Sequence, residues 1–413
     1  MKRTMIFAAA AFATGFAIAG VTVRDVKVSQ NWPWSGLVNI DYTLDAPANA
    51  LVDVTIALKN GKQPIDLGWG ALDATKLYSQ TAGTYRVVWD PSKTVGDPAR
   101  IWSEFTAEVK TNDGDTFMVI DLATDAITFT DTPPEGGWNQ DEYKTSKIVM
   151  RRIPAGTYVM GSPEDEIGHD ERTERQHPVT FTNFFYLGVF EMTERQYCIL
   201  EGIEGGTTAA VANNDKARVV KEGIDPLSLR GATSKDKNVF PAIESDSFFG
   251  RMNARFTLPQ KLANYVFDLP TISQWEYACR AGTTGAWNNG TTRTANETTD
   301  PNLDLLGWYR KTTNFQTREV GGLLPNAFGL YDMHGNAGEL CIDVVPAGTI
   351  VWWQRDVPLV EPILYDPDHW PWTAVGRGGN EEENAGTCRS ASPATSYTGR
   401  GTGFRLALVA RRK

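Results

Sequence analysis

The chain has 413 residues, 41 % of them hydrophobic and 22 % charged, which is the composition of a folded globular protein rather than a disordered or fibrous one. That length exceeds one comfortable core and predicts two domains. The net charge of −10 argues against nucleic acid as a partner, because phosphate binding needs lysine and arginine gathered on one face.

At the N-terminus, Lys2 and Arg3 precede an apolar run from Met5 to Gly20 that ends in Ala17-Ile18-Ala19. This is the form of a secretory leader, residues 1–19, with cleavage after Ala19; the run is too short to span a bilayer. No later segment is apolar for long enough to span one either. The expectation is a secreted or periplasmic protein with no membrane span after cleavage.

From Val21 to about Asp131 the residues alternate apolar and polar in short runs such as "VTVRDVKV", "GLVNIDYTL", "LVDVTIAL", "GTYRVVWD", "EFTAEVKT" and "TFMVIDLA". Period two bounded by Gly, Pro, Asn or Asp predicts strands with one buried face, and six or seven of them predict an all-β sandwich of immunoglobulin or fibronectin type over residues 21–131. This half has no cysteine and no catalytic constellation, so an adhesive or spacer module is expected. Paired prolines and glycines in "TDTPPEGGWNQDEYKTS" then predict a linker over residues 132–146.

Beyond it, isolated helix signals stand among long loops. Thr271 with Gln274, and Thr193 with Gln196, are capping boxes. The first opens a helix with Trp275, Ala278 and Cys279 on one face and Gly282 as its stop; the second puts Tyr197 and Leu200 on one side. A loop-rich α+β domain over residues 147–413 follows. Its four cysteines, Cys198, Cys279, Cys341 and Cys388, form no C-x-x-C pair. The histidines His169, His177, His334 and His369 have no metal-binding spacing, so surface or hydrogen-bonded structural roles are expected of them.

Seven blocks in this half, taken in order, resemble the sulfatase-modifying-factor domain, the family of the formylglycine-generating enzyme. They are "RRIPAGTYVMGSP", "ERQHPVTFTNFFYLGVFEMTERQY", "DLPTISQWEYACRAGT", "LPNAFGLYDMHGNAGE", "GRGGN", "CRSA" and "GTGFRLA". The resemblance implies a C-type-lectin-like fold with structural calcium, in which some members oxidise a protein cysteine to formylglycine using copper. It implies calcium ligands at Asp332, Gly335, Ala337 and Glu339, two carboxylates and two backbone carbonyls around a tight turn, which are hard donors suited to the ion. Asn302 is a candidate member of a second calcium site.

The resemblance implies a different outcome for copper. Active members hold Cu(I) with two thiolates after R-G-G-S, since soft sulfur suits the soft ion. Here Glu381, Glu382 and Glu383 stand where an aromatic residue and the first cysteine fall, leaving Cys388 as the one catalytic candidate and as more of a structural cysteine. The resemblance further implies a Cys279–Cys388 disulfide, with Cys341–Cys388 as the rival. Gly338, Leu340, Glu381 and Pro393 also depart from the family pattern. A pocket, if kept, would be lined by Asn336, Glu381, Glu382, Glu383 and Arg405. The three glutamates are expected chiefly as a solvated loop, or else as a selector for a cationic ligand or divalent ion, and Arg405 chiefly as a buried ion-pair residue. The preferred reading is a family member acting as a binding module for a protein or glycan, without copper. The alternative is an active oxidase making formylglycine in sulfatases; histidine-bound iron chemistry has no support.

Overall fold

The computed structural model describes residues 5–8, 20–30, 35–65, 67, 71–93, 105–112, 114–203, 216–231, 242–294, 298–344, 358–363, 374–394 and 401–412. They fall into two compact units, Met1–Thr116 with Thr130–Pro134, and Phe117–Phe129 with Glu135–Lys413. Most of the expected leader, and His369, lie outside the described residues; Met5–Ala8 within the leader pairs with Lys27–Gln30.

The first unit is built of two sheets. One has the order Met5–Ala8, Thr22–Gln30, Val38–Asp45, Gly83–Trp89, and the other Gln63–Ile65, Val54–Asn60, Phe105–Thr111. All their pairings are antiparallel. Period two works as expected here: Val38–Asp45 buries Val38, Ile40, Tyr42 and Leu44 and leaves the residues between them half-buried. Both sheets supply one apolar core, in which Val28, Leu44, Leu58 and Val87 surround Trp89 stacked on Phe105 at 5.6 Å.

The second unit departs from the expected boundary. "TFMVIDLA", read as the last strand of the sandwich, forms Phe117–Asp121 and pairs antiparallel with Lys147–Ile153. Period two tells which face of a strand is buried but not against which sheet. Met118 and Ile120 bury against Met150, Tyr186, Phe267 and Leu408. The expected linker is likewise divided: Trp138 and Tyr143 are buried, with rings 4.9 Å apart, and Trp138 tilts against Phe117.

The main sheet of this unit has the order Tyr265–Asp268, Ala407–Ala410, Phe185–Gly188, Lys147–Ile153, Phe117–Asp121, Ile127–Thr130. A smaller one has the order Pro393–Ala394, Ala374–Arg377, Gly338–Val344, Thr402–Gly403. Both capping boxes close as the sequence predicts, starting helices Glu194–Leu200 and Ile272–Arg280. The second helix stops one residue early, on Ala281 at φ 43°, ahead of Gly282. Every residue of Ile272–Arg280 is buried, including Glu276 and Arg280, so an amphipathic reading understates how enclosed it is. Among the described residues no helix is long and apolar enough to cross a membrane.

Candidate functional site

The turn from Asp332 to Glu339 runs through three left-handed residues, Asp332 (φ 56°), Gly335 (82°) and Asn336 (62°). Gly335 has no alternative, since a Cβ there would stand 2.0 Å from the Trp308 carbonyl oxygen. Asp332 Oδ2 accepts from the Gly321 amide at 2.6 Å, and its Oδ1, buried, has no hydrogen-bond partner. Glu339 meets Arg405 as a fork, with Nη2 to Oε1 at 2.6 Å and Nε to Oε2 at 3.0 Å, and also accepts from Trp275 Nε1 at 2.7 Å. The remaining donors of Arg405 go to the carbonyls of Gly188, Val189 and Tyr331.

A third acid, which the sequence reading did not single out, completes the cluster. Glu191 Oε1 accepts from the Ala337 amide at 3.0 Å and its Oε2 from Asn336 Nδ2 at 2.5 Å. It stands two residues before the cap of Glu194–Leu200, and only that capping box marks the neighbourhood in the sequence. Glu191, Asp332, Glu339 and Arg405 are each no more than 3 % exposed. Burial, with Asp332 and Glu339 nearby, raises the Glu191 carboxyl well above the ordinary range, and burial pushes Asp332 up to about 6. Three carboxylates thus share one guanidinium, a charge excess that a low-dielectric interior tolerates only with protons or a cation.

These residues fit a hard divalent cation. The orphaned Asp332 oxygen and the uncompensated negative charge ask for one, and oxygen donors are the correct kind for calcium. Among the described residues no group of three or more His, Cys, Asp or Glu comes together as ligands, and the expected set, two carboxylates with two backbone carbonyls, is not of that type. Glu339 would be shared between the ion and Arg405.

The thiols are arranged otherwise than expected. All four cysteines are free and buried, so the Cys279–Cys388 disulfide is not formed, nor its rival through Cys341. Cys279 Sγ sits 3.7 Å from Ser390 Oγ and 3.9 Å from His334 Nε2, while Cys388 Sγ lies 3.7 Å from the Asn384 carbonyl oxygen. Each sulfur has its own polar neighbours. Cys388 packs in an apolar cluster with Trp287, Leu303, Leu306, Tyr309 and Ala385. Gly379 leaves it room, because a Cβ at that position would come within 2.6 Å of its sulfur. Burial pushes the Cys279 thiol up to about 12 and likewise raises Cys388 and Cys341.

His334 lies between the two cysteine segments. Its Nδ1 donates to the Cys388 carbonyl at 2.7 Å and its Nε2 accepts from the Asn288 amide at 3.0 Å, which fixes the neutral tautomer; burial lowers its pKa to about 4. His169 and His177 are also hydrogen-bonded, to Ser162 and to the Arg175 carbonyl.

The three glutamates do not form a uniform solvated loop. Glu381 is fully buried: its amide donates to the Asn336 carbonyl and its own carbonyl accepts from Thr313 Oγ1. Glu382 is exposed and Glu383 half-buried, and their carbonyls accept from Arg310. Asn336 and Arg405 have no exposure. Of the five expected pocket residues, Asn336, Glu381 and Arg405 are thus closed off from solvent, while Glu382 and Glu383 reach it. Asn302 sits in a loop gathered by Asp300, whose Oδ1 accepts the Asn302 amide and whose Oδ2 accepts the Thr294 amide. A cleft of about 330 Å³ lies elsewhere, bordered by Phe181, Phe184, Gln274, Glu361 and Arg411, and contains none of the expected site residues.

Buried ion pairs tie the sequence blocks together. Arg405 of "GTGFRLA" holds Glu339 of "LPNAFGLYDMHGNAGE", and Arg389 of "CRSA" holds Glu174 of "ERQHP" through two contacts of 2.7 Å. Arg377 of "GRGGN" reaches Glu276 of "QWEYACR" at 3.2 Å.

Comparison with known proteins agrees with this map. The family model described as the sulfatase-modifying factor enzyme 1-like domain matches residues 138–410. Chaperone protein LppX of Paenibacillus barcinonensis is 26 % identical over 189 residues, covering 38 % of this chain and 61 % of that protein, so the chain spans about three-fifths of the curated relative's length. Treponema denticola variable protein 1 is 19 % identical with a TM-score of 0.45, covering 64 % of this chain and 96 % of its own. PvdO from Pseudomonas aeruginosa is 21 % identical with a TM-score of 0.40, covering 63 % and 94 %. Because the family model spans most of the chain and takes in all seven blocks, this chain belongs to the sulfatase-modifying factor enzyme 1-like domain family.

Proposed function

We propose that this chain is an extracytoplasmic member of the family that binds another protein, carries structural calcium at the Asp332–Glu339 turn, and does not assemble a copper dithiolate. The observation that carries this is the state of Cys388. Its sulfur is buried among apolar side chains, burial raises its pKa, and the companion position after "GRGGN" is filled by glutamate. Cu(I) binds thiolates, not buried thiols, and carboxylate is a hard ligand. Without a thiolate pair the oxidation of a target cysteine has no metal to run on.

A protein partner is favoured over a glycan by two features. The relative from Paenibacillus barcinonensis is named a chaperone. The second unit also exposes large apolar side chains in one place: Leu305 is 58 % and Leu324 57 % exposed, with the Leu324 amide donating to the Leu305 carbonyl at 3.1 Å. The leader-like N-terminus supports export.

The test is Cu(I) titration of the purified full-length protein under reducing conditions, with an assay for formylglycine on a cysteine-containing sulfatase peptide. No stoichiometric copper uptake and no conversion are expected. One equivalent of tightly held Cu(I) together with conversion would overturn the reading in favour of the oxidase.

A further inference from the structure

Four consecutive backbone amides of the turn are each held by a different acceptor. Gly335 N–H donates to the Gly378 carbonyl at 2.7 Å, Asn336 N–H to the Trp308 carbonyl at 2.7 Å, and Gly338 N–H to the Gly401 carbonyl at 2.8 Å. The fourth, Ala337 N–H, donates to Glu191 Oε1 at 3.0 Å, so Glu191 is the side-chain anchor among three backbone ones. A trans peptide is planar, with its C=O directed opposite its N–H, so fixing an amide fixes the carbonyl one residue earlier. The Asn336 amide sets the Gly335 carbonyl and the Gly338 amide sets the Ala337 carbonyl, and these are the two backbone ligands expected of the calcium turn.

The peptide plane between those two carbonyls is Asn336–Ala337. It is held from both sides, its N–H by Glu191 and its C=O by the Glu381 amide at 3.1 Å. Glu191 also takes the Asn336 side chain, which stabilises a non-glycine residue in the left-handed region at φ 62°. The backbone bonds to Trp308 and Gly401 hold the two outer planes, and Glu191 holds the N–H of the plane that joins them.

We propose that Glu191 is a positioning residue for the cation site: by gripping the Ala337 amide and the Asn336 side chain, it fixes the left-handed Asn336 and the peptide plane that link the Gly335 and Ala337 carbonyls. The proposal rests on the calcium reading of the turn. Outer-shell partners of this kind change metal affinity by about 10–100-fold when removed.

The experiment is isothermal titration of Ca²⁺ alone into chelator-treated full-length protein, with melting temperatures recorded with and without the ion. Wild type is expected to bind and to gain stability. Glu191→Gln keeps the size but offers one acceptor oxygen, and Glu191→Asp keeps the charge but is one methylene short of spanning both contacts. Both are expected to bind calcium at least tenfold more weakly, and the calcium-dependent gain in melting temperature is expected to shrink. A merely structural glutamate would lower melting equally with and without the ion and leave affinity alone, and that result overturns the inference. So does a Glu191→Asp variant with wild-type affinity, which would make the effect one of charge and not position. Should the Gln variant fail to fold, the Asp variant carries the test. A wild-type protein that takes up no calcium sinks the calcium reading itself, an outcome distinct from either variant result.

Discussion

Each unit of this protein contains arginines joined to carboxylates as forks, and two of these, Arg86–Asp41 in the first and Arg405–Glu339 in the second, differ chiefly in burial. In the first unit Arg86 lies across Asp41 with contacts of 2.6 and 2.9 Å, and the arginine side chain is 61 % exposed. In the second, Arg405 meets Glu339 with contacts of 2.6 and 3.0 Å and has no exposure. Similar geometry, set in water and then in the interior, performs different work. The outer pair decorates a sheet whose stability comes from apolar packing. The inner pair is the packing, since removing either partner strands a charge where water cannot reach it.

The contrast predicts its largest effect at Arg405. Replacing it with methionine leaves Glu339, Asp332 and Glu191 without their guanidinium, and we expect a loss of about 4 kcal/mol, within the roughly 3–5 kcal/mol typical of broken buried pairs. Urea unfolding followed by hydrogen exchange in Lys147–Ile153, the strand at the middle of the main sheet, reads it directly. Adding Glu339→Gln to the same chain should recover part of the loss, because one stranded charge is gone. A cost under about 1 kcal/mol for Arg405→Met would break the comparison, placing that pair in the class of exposed ones.

The first unit should respond instead to lost volume. Leu44 is fully buried between the sheets, and Leu44→Ala is expected to cost about 3 kcal/mol, from transfer free energy plus the cavity left behind. Protection of amides in Val38–Asp45 and Gly83–Trp89 is the readout. If the first unit tolerates that truncation with little change, its core is less consolidated than its alternating burial indicates.

This division also explains what could be read from the sequence. The sandwich was legible because a half-buried strand writes its face in period two, and Val38, Ile40, Tyr42 and Leu44 obey it residue by residue. The strand Phe117–Asp121 obeys it too, yet belongs to the other unit, because the pattern carries no information about the partner sheet. In the second unit the blocks were legible as blocks, and their meaning emerges as buried ion pairs between residues far apart in sequence. Arg389 and Glu174 are 215 positions apart, and no local pattern joins them. Glu191 was missed for the same reason: a glutamate beside a helix cap reads as surface until Ala337 and Asn336 are brought to it. The thiol pairing failed because proximity of the two cysteine segments, mediated by His334, does not place the two sulfurs in bonding position.

A smaller effect separates local from long-range contributions inside the second unit. Thr271 caps Ile272–Arg280 by accepting from the Gln274 amide at 3.0 Å, and Gln274 returns the contact through the Thr271 amide at 3.0 Å. Thr271→Ala is expected to cost about 1 kcal/mol. That is well below the Arg405 effect even though both residues serve the same core, and thermal melts of the two variants side by side check the ratio.

The smallest effect lies at the other fork, and it is the one that most sharpens the comparison. Asp41→Asn removes the charge that Arg86 meets, but both groups already hydrate well, so the gain in the folded state is small and offset by the ordering of a long side chain. We expect about 0.2–1 kcal/mol at low salt, falling toward zero in 1 M NaCl, where the Debye length is about 3 Å. Arg405→Met should show no such salt dependence, because the mobile ions of a simple salt do not screen a pair with no exposure. Measuring both variants at two salt concentrations therefore distinguishes burial from geometry as the origin of the difference: a salt-sensitive Arg405 or a salt-insensitive Asp41 would mean that fork geometry, which the two pairs share, carries the energy.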